Sequence, residues 1–287
     1  MAVPGNYSCK RHLIEKSIQF KAEKDRVLVP IGEPCPFGCK YCYTRRGEVG
    51  PARVKVEEIL QCLHVFATEH EFATIQLGYD SDPFVHPERG ITLLQRLAEM
   101  EKNIGFSTKA LIAGQTLEML ADIRCKMATS GNTLSAIVSL SCWDSANLVE
   151  PHAPTPDERM ETVKNLKSID IPIFIAVRPI LPHVDDAEYE QLVHKGLVAG
   201  CEGFILGPLY ADDKGQFVKF IPPEVLRNVP KCKVVVSWSA HSPLWTRYED
   251  RPRLQKIILM VKQKGGRVFT SSADAVKFAD QRRKLLE

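Results

Sequence analysis

Between Val27 and Leu206 the chain alternates six short runs rich in Val, Ile and Phe with five helix-length amphipathic stretches, and this alternation restricts its folds more than any other feature. The short runs fall at Val27–Ile31, Ala73–Tyr79, Gly105–Ala110, Leu134–Ser141, Ile171–Pro179 and Gly203–Leu206. The helical stretches between them are Val56–His70, Pro87–Lys102, Thr116–Thr129, Pro156–Ser168 and Ala187–Ala199. In the first helix Ile59, Leu60, Leu63, Val65 and Phe66 make a core stripe. In the fourth, Asp157 and Glu158 occupy the first turn, where the helix dipole favours acids. Ile171–Pro179 is almost continuously apolar, as strands covered on both faces of a parallel sheet are. Such a pattern folds as right-handed βαβ units around a parallel sheet, so the expected class is α/β. Further on the rhythm weakens: Lys233–Trp238 reads as a seventh strand, Arg253–Lys264 as a helix, Arg267–Thr270 as a strand and Ala273–Leu286 as a last helix. The expected organisation is a lead-in over residues 1–26, a core over 27–210, and an extension over 211–287 that completes or caps the sheet.

The first run leads into Cys35-Pro36-Phe37-Gly38-Cys39-Lys40-Tyr41-Cys42-Tyr43, with three cysteines spaced C-x-x-x-C-x-x-C. Three thiolates on a tight loop can hold three irons of a four-iron cluster and leave the fourth open to an exchangeable ligand. A structural zinc site would need a second short Cys/His pair. None follows, because Cys9, Cys62, Cys125, Cys142, Cys201 and Cys232 are scattered singly. Three buried structural cysteines would leave the Gly, Pro and aromatics between them without a purpose. The loop follows the first strand, and the carboxyl ends of parallel strands are where such folds gather their chemistry.

C-x-x-x-C-x-aromatic-C, with Tyr41 in the aromatic slot, resembles the signature of the radical S-adenosylmethionine (SAM) superfamily. The resemblance implies a partial (βα)6 barrel of TIM type, a [4Fe–4S] cluster on Cys35, Cys39 and Cys42, and SAM on the open iron. It also implies reductive cleavage of SAM to a 5′-deoxyadenosyl radical that removes a hydrogen atom from a substrate, with electrons from a donor such as flavodoxin or ferredoxin. From Val27 to Tyr210 the order of pieces is similar to the spore photoproduct lyase family: Ser81-Asp82-Pro83, Thr108-Lys109, Glu150-Pro151 with Pro156 and Arg159, and Pro179-Ile180. Carried over by position, Lys109 contacts the SAM carboxylate and Ser139 its methionine or ribose portion. A lysine at a buried strand end independently wants an anion. Arg159 and Arg178 are further carboxylate partners, because guanidinium forks onto carboxylate. Gly203-x-Ile205-x-Gly207 resembles the pattern on which adenine lies flat against a strand.

The sequence departs from the lyase at its hydrogen-donating cysteine, where Tyr79 stands. Tyr79 is either a radical partner or an aromatic wall. Cys142 is a substitute donor unless strand alternation turns it away from Ser139 and Ser141. Asp80 and Asp82 are candidates for proton work, and Asp82 before Pro83 is also a turn former. Val236–Trp245, with two tryptophans and a histidine, would either contact a planar substrate or pack over the barrel end.

Charge bears on the substrate. Residues 1–27 carry +3 and residues 245–287 carry +6, so with a net charge of +3 the middle carries −6. Phosphate backbones need clustered Lys and Arg, so nucleic acid and photoproduct repair are the secondary reading and a small molecule, nucleoside or peptide the first. A non-enzymatic iron–sulfur or zinc module is the alternative from another class. With 44% hydrophobic and 25% charged residues, no membrane-length apolar run and an odd nine cysteines, the expected setting is cytoplasmic, without a disulfide scaffold or a membrane partner.

Overall fold

The computed structural model describes residues 20–23, 25–43, 54–212, 215–236 and 244–286. In chain order the elements are β1 (Lys21–Glu23), β2 (Arg26–Val29), α1 (Val56–Glu69), β3 (Thr74–Leu77), α2 (Pro87–Ala98), β4 (Asn103–Thr108), α3 (Gly114–Thr129), β5 (Leu134–Ser139) and the single turn α4 (Ala146–Val149). Then come α5 (Pro156–Ser168), β6 (Ile173–Val177), α6 (Asp186–Ala199), β7 (Gly203–Leu206), β8 (Leu209–Ala211), α7 (Pro223–Asn228), β9 (Lys231–Val235), β10 (Leu244–Tyr248), α8 (Arg251–Gln263), β11 (Val268–Phe269) and α9 (Ser272–Leu286).

Strands β2 to β7 lie side by side in chain order and all pair in parallel, the parallel sheet the alternation implied and consistent with the partial barrel the resemblance implied. The sheet is eight-stranded: β1 adds antiparallel to β2 at one edge, and β11 adds parallel to β7 at the other. Strands β2 and β6 are buried along their whole length and β5 along all but its last residue, Ser139, as covered parallel strands must be. Helix α5 starts where its sequence says: Thr155 caps the Glu158 N–H, Glu158 returns the bond to the Thr155 N–H at 2.7 Å, and Pro156 opens the first turn.

The extension divides its labour. The seventh strand, read over Lys233–Trp238, is β9 at Lys231–Val235, and it forms the edge of a separate antiparallel sheet ordered β8-β10-β9. The reason is in its residues, since Lys231, Cys232, Lys233 and Val235 are exposed, unlike any strand of the parallel core. The strand that does join the barrel is the later one, β11. Helix α9 packs on the concave face of the sheet, where Ala275, Val276 and Ala279 meet Ile137, Phe174, Ala176 and Ile205. Its first residue reaches the other edge, with Arg26 Nη1 donating to Ser272 Oγ at 2.9 Å. Thus α9 packs on the inner face of β5 to β7 and is tied to β2 through its first residue. No helix of the described residues is long and apolar enough to cross a membrane. Cys62 on α1 is disulfide-bonded, while the three loop cysteines are free.

Candidate active site

Above α9, at the carboxyl ends of the parallel strands, lies a cavity of about 500 Å³. Cys35, Cys39 and Cys42 all line it, together with Tyr41, Tyr79, Asp82, Lys109, Ser139, Arg178 and Ile205 among the residues singled out from sequence. The cysteine loop is shaped by Gly38, whose φ of +66° a side chain would strain and whose added Cβ would lie 2.9 Å from His152 Cδ2. Two backbone bonds, Lys40 N to Val149 O at 2.9 Å and His152 N to Phe37 O at 3.2 Å, tie the loop to the segment carrying Glu150.

Glu150 has no solvent exposure and accepts four side chains. Its Oε1 takes the Tyr41 hydroxyl, Lys109 Nζ at 3.0 Å and Ser141 Oγ at 2.8 Å, and its Oε2 takes Arg159 Nη1. Burial alone would raise the Glu150 pKa, but Lys109 and Arg159, with the bonds from Tyr41 and Lys109, bring it down to about 2. Lys109 is held at both ends, because its backbone N–H donates to Asp82 Oδ2 at 2.5 Å while its ammonium lies 5.8 Å from the centre of the Tyr41 ring. Sequence reasoning placed Glu150 in a family motif but gave it no role. An acid between apolar Val149 and Pro151, nine residues before an arginine, was the available signal for a buried pair.

The other candidates separate. Arg159 does not line the cavity; it is fully buried, bonded to Glu150, to Ser139 O at 2.9 Å and to Pro154 O at 2.7 Å, so it supports the site from behind. Asp82 is consumed by structure: Phe84 N, Thr108 Oγ1 and Lys109 N occupy its carboxylate and brace the loop after β3 against β4. Cys142 is wholly buried outside the lining, 3.8 Å from Ser141 Oγ, and burial pushes its thiol up to about 12, as strand alternation suggested for an inert side chain. Gly203 is also outside the lining, and a Cβ there would meet Arg267 O at 2.8 Å, while Ile205 faces the cavity. Tyr79 lines the cavity, and its carbonyl accepts the Tyr43 hydroxyl at 2.5 Å. Of the Val236–Trp245 segment, residues 237–243 lie outside the described residues. Trp245 is buried and stacked on Phe217 at 5.5 Å, so it packs and does not line the cavity.

The donor set suits a polynuclear cluster. Burial raises the Cys35 thiol, against N–H donors from Phe37 and Asp82, and pushes Cys39 up to about 12 against the pull of Lys109. The three thiols act on one another, and all three line the cavity. A cluster uses such a set by giving each sulfur a different iron. The Ser81 hydroxyl, on a residue that lines the cavity, is buried with no partner among the described residues, as a group awaiting a polar ligand would be.

Fold and cavity together define an open parallel barrel that presents three cysteines of one loop to a cavity at its strand ends. The chain belongs to the radical SAM superfamily, whose family model matches residues 29–196. An uncharacterized protein of Mycobacterium tuberculosis is 24% identical over 189 residues, covering 59% of this chain and 54% of that protein. The chain thus spans about half the length of the curated relatives it matches. Among solved structures, a spore photoproduct lyase mutant with a dinucleoside spore photoproduct superposes with TM-score 0.64 at 16% identity, covering 92% of this chain and 83% of that one. The radical SAM methyltransferase TsrM of Kitasatospora setae, with tryptophan and a SAM analogue, gives 0.56 at 10% identity, covering 86% and 54%. At these identities the likeness is one of fold.

Proposed function

We propose that this chain is a radical SAM enzyme acting on a small-molecule or peptide substrate. The observation that carries the reading is that Cys35, Cys39 and Cys42 share one cavity with Lys109 at the ends of the parallel strands. Bound there, a [4Fe–4S] cluster and SAM would supply reductive cleavage of SAM and hydrogen-atom abstraction, with flavodoxin or ferredoxin as electron source.

The chain's own part is to bind, orient and exclude water. Lys109 offers its ammonium to the SAM carboxylate, and Glu150 keeps that ammonium beside the cysteine loop. Ser139, half-buried in the lining, offers a hydroxyl to the methionine or ribose portion. Leu28, Ile137, Ala176 and Ile205 give the cavity an apolar floor that keeps solvent from the reacting carbon. The three thiols must give up protons as iron binds, so cluster assembly releases acid.

The test is anaerobic reconstitution with iron and sulfide, followed by reductant and SAM. The expected product is 5′-deoxyadenosine, absent in Cys39→Ala. Lys109→Ala should retain iron but bind SAM at least about tenfold more weakly, the loss of one charge-assisted contact. Protein that holds zinc and never cleaves SAM would overturn the reading.

A further inference from the structure

Three cations line the cavity: Arg26, Lys109 and Arg178. Two already hold a carboxylate of the protein. Arg26 grips Glu23 Oε2 through Nε at 3.1 Å and Nη2 at 2.5 Å, and Lys109 holds Glu150. Among the described residues no carboxylate forms an ion pair with Arg178. Its bond runs from Nη2 to the Thr270 carbonyl at 2.9 Å, which fixes the guanidinium plane and leaves its charge unspent. The group is also exposed to the cavity.

The position is built. Arg178 lies across the end of β7 because residue 207 is glycine; a Cβ there would stand 2.6 Å from Arg178 Nε and 3.0 Å from its Cγ. Its charged and phenolic neighbours are Tyr210, Tyr43, Arg26 and Glu23, whereas Lys109 and Glu150 are the groups that act on Cys39. Arg178 therefore has its charged and phenolic neighbours on β1, β2, β8 and the residue after Cys42, and Ser271 and Ser272 line the same cavity. A guanidinium fixed in place and open on its remaining edge suits an oxyanion, which it meets with paired N–H donors.

We propose that Arg178 binds an anionic group, a carboxylate or phosphate monoester, carried by the substrate, and that it is not a SAM-carboxylate ligand. The inference rests on the radical SAM reading of the same cavity. The substrate is thus an acidic small molecule whose anion is held near Tyr210 and near Tyr43, the residue that follows Cys42.

The experiment uses reconstituted, SAM-loaded protein titrated calorimetrically with two probe pairs, adenosine monophosphate against adenosine and benzoate against benzamide. The anionic member of at least one pair should bind more tightly than its neutral partner, and the pair that responds tells phosphate from carboxylate. Arg178→Gln should remove that preference by roughly ten- to hundredfold, the loss of charge-assisted hydrogen bonds. Arg178→Lys should retain part of it, and Gly207→Ala, which pushes the guanidinium aside, should weaken it. Equal binding of anions by the wild type and Arg178→Gln overturns the proposal. So does a loss of SAM affinity in Arg178→Gln with the anion preference kept, which would return Arg178 to SAM. Failure to cleave SAM at all refutes the enzyme reading separately.

Discussion

Arg159 and Glu150 form an ion pair in which neither side chain has any solvent exposure. Through it, α5 reaches under β5 and fixes the carboxylate that holds Tyr41 and Lys109 in the cavity. Removing one partner of such a pair leaves the other charge buried, which typically costs about 3–5 kcal/mol. Arg159→Ala should lower unfolding stability by that amount in urea titrations. It should also weaken SAM binding, because Lys109 loses its fixed anchor. A loss below about 1 kcal/mol, the size of a surface pair, would contradict this account.

Acid should strike the same pair. The Glu150 pKa is about 2 in the folded protein against an ordinary 4.5. A depressed acid contributes stability that is complete above the unfolded value and is lost as pH falls through the folded one. The contribution is therefore full above about pH 4.5 and drains toward pH 2, amounting to about 3 kcal/mol. Stability of the wild type and Glu150→Gln, measured from pH 7 down to pH 3, should converge as the pH falls. A constant gap across that range would mean that Glu150 titrates normally.

What the sequence made legible follows from which signals survive tertiary packing. The strands from Val27 to Leu206 stood out because a covered parallel strand has no polar face to confuse the reading. The cysteine spacing led to the superfamily because three ligands on one loop leave few other uses. Helix α9 could be found as a helix, but its place could not, because Ala275 and Ala279 are small and a helix that fills a concavity shows no broad apolar stripe. Strands β1 and β8, with three residues each, carry too few side chains for period-two alternation to register. Glu150 and Arg159 were visible as residues of a motif. That they meet each other in the interior depends on the turn between α4 and α5, which no local pattern encodes.

Asp80 should respond to pH in the opposite sense to Glu150. It lines the cavity, burial raises it to about 6, and N–H groups including Ile31 N, at 3.1 Å from Oδ1, hold it from rising further. An acid with a raised folded pKa costs stability once the unfolded chain begins to ionise. The fold is favoured below about pH 4 and loses up to about 3 kcal/mol as pH climbs to 6. Asp80→Asn keeps an acceptor for Ile31 and carries no charge. The variant should match the wild type at pH 4 and exceed it at pH 7. If the wild type is the more stable at neutral pH, the carboxylate is being used as an anion and this argument fails.

Helix α9 should tolerate little growth on its inner face. Ala275 has no solvent exposure and packs with Ile137, Phe174, Ala176 and Ile205, of which Ile137, Ala176 and Ile205 also line the cavity. Extra methylenes in a filled core force neighbouring side chains from their rotamers, at about 1–3 kcal/mol. Ala275→Leu should therefore lower stability by that much. It should also disturb the cavity, because the same helix supplies Ser272, which accepts from Arg26. Leu285→Ala is the control: it lies on α9 but is 86% exposed, so its loss should be within about 0.5 kcal/mol of neutral. Comparing the two separates a helix that fills the barrel from one that merely leans on it. If Ala275→Leu is as benign as Leu285→Ala, the concave face has room to spare and α9 does not set the cavity floor.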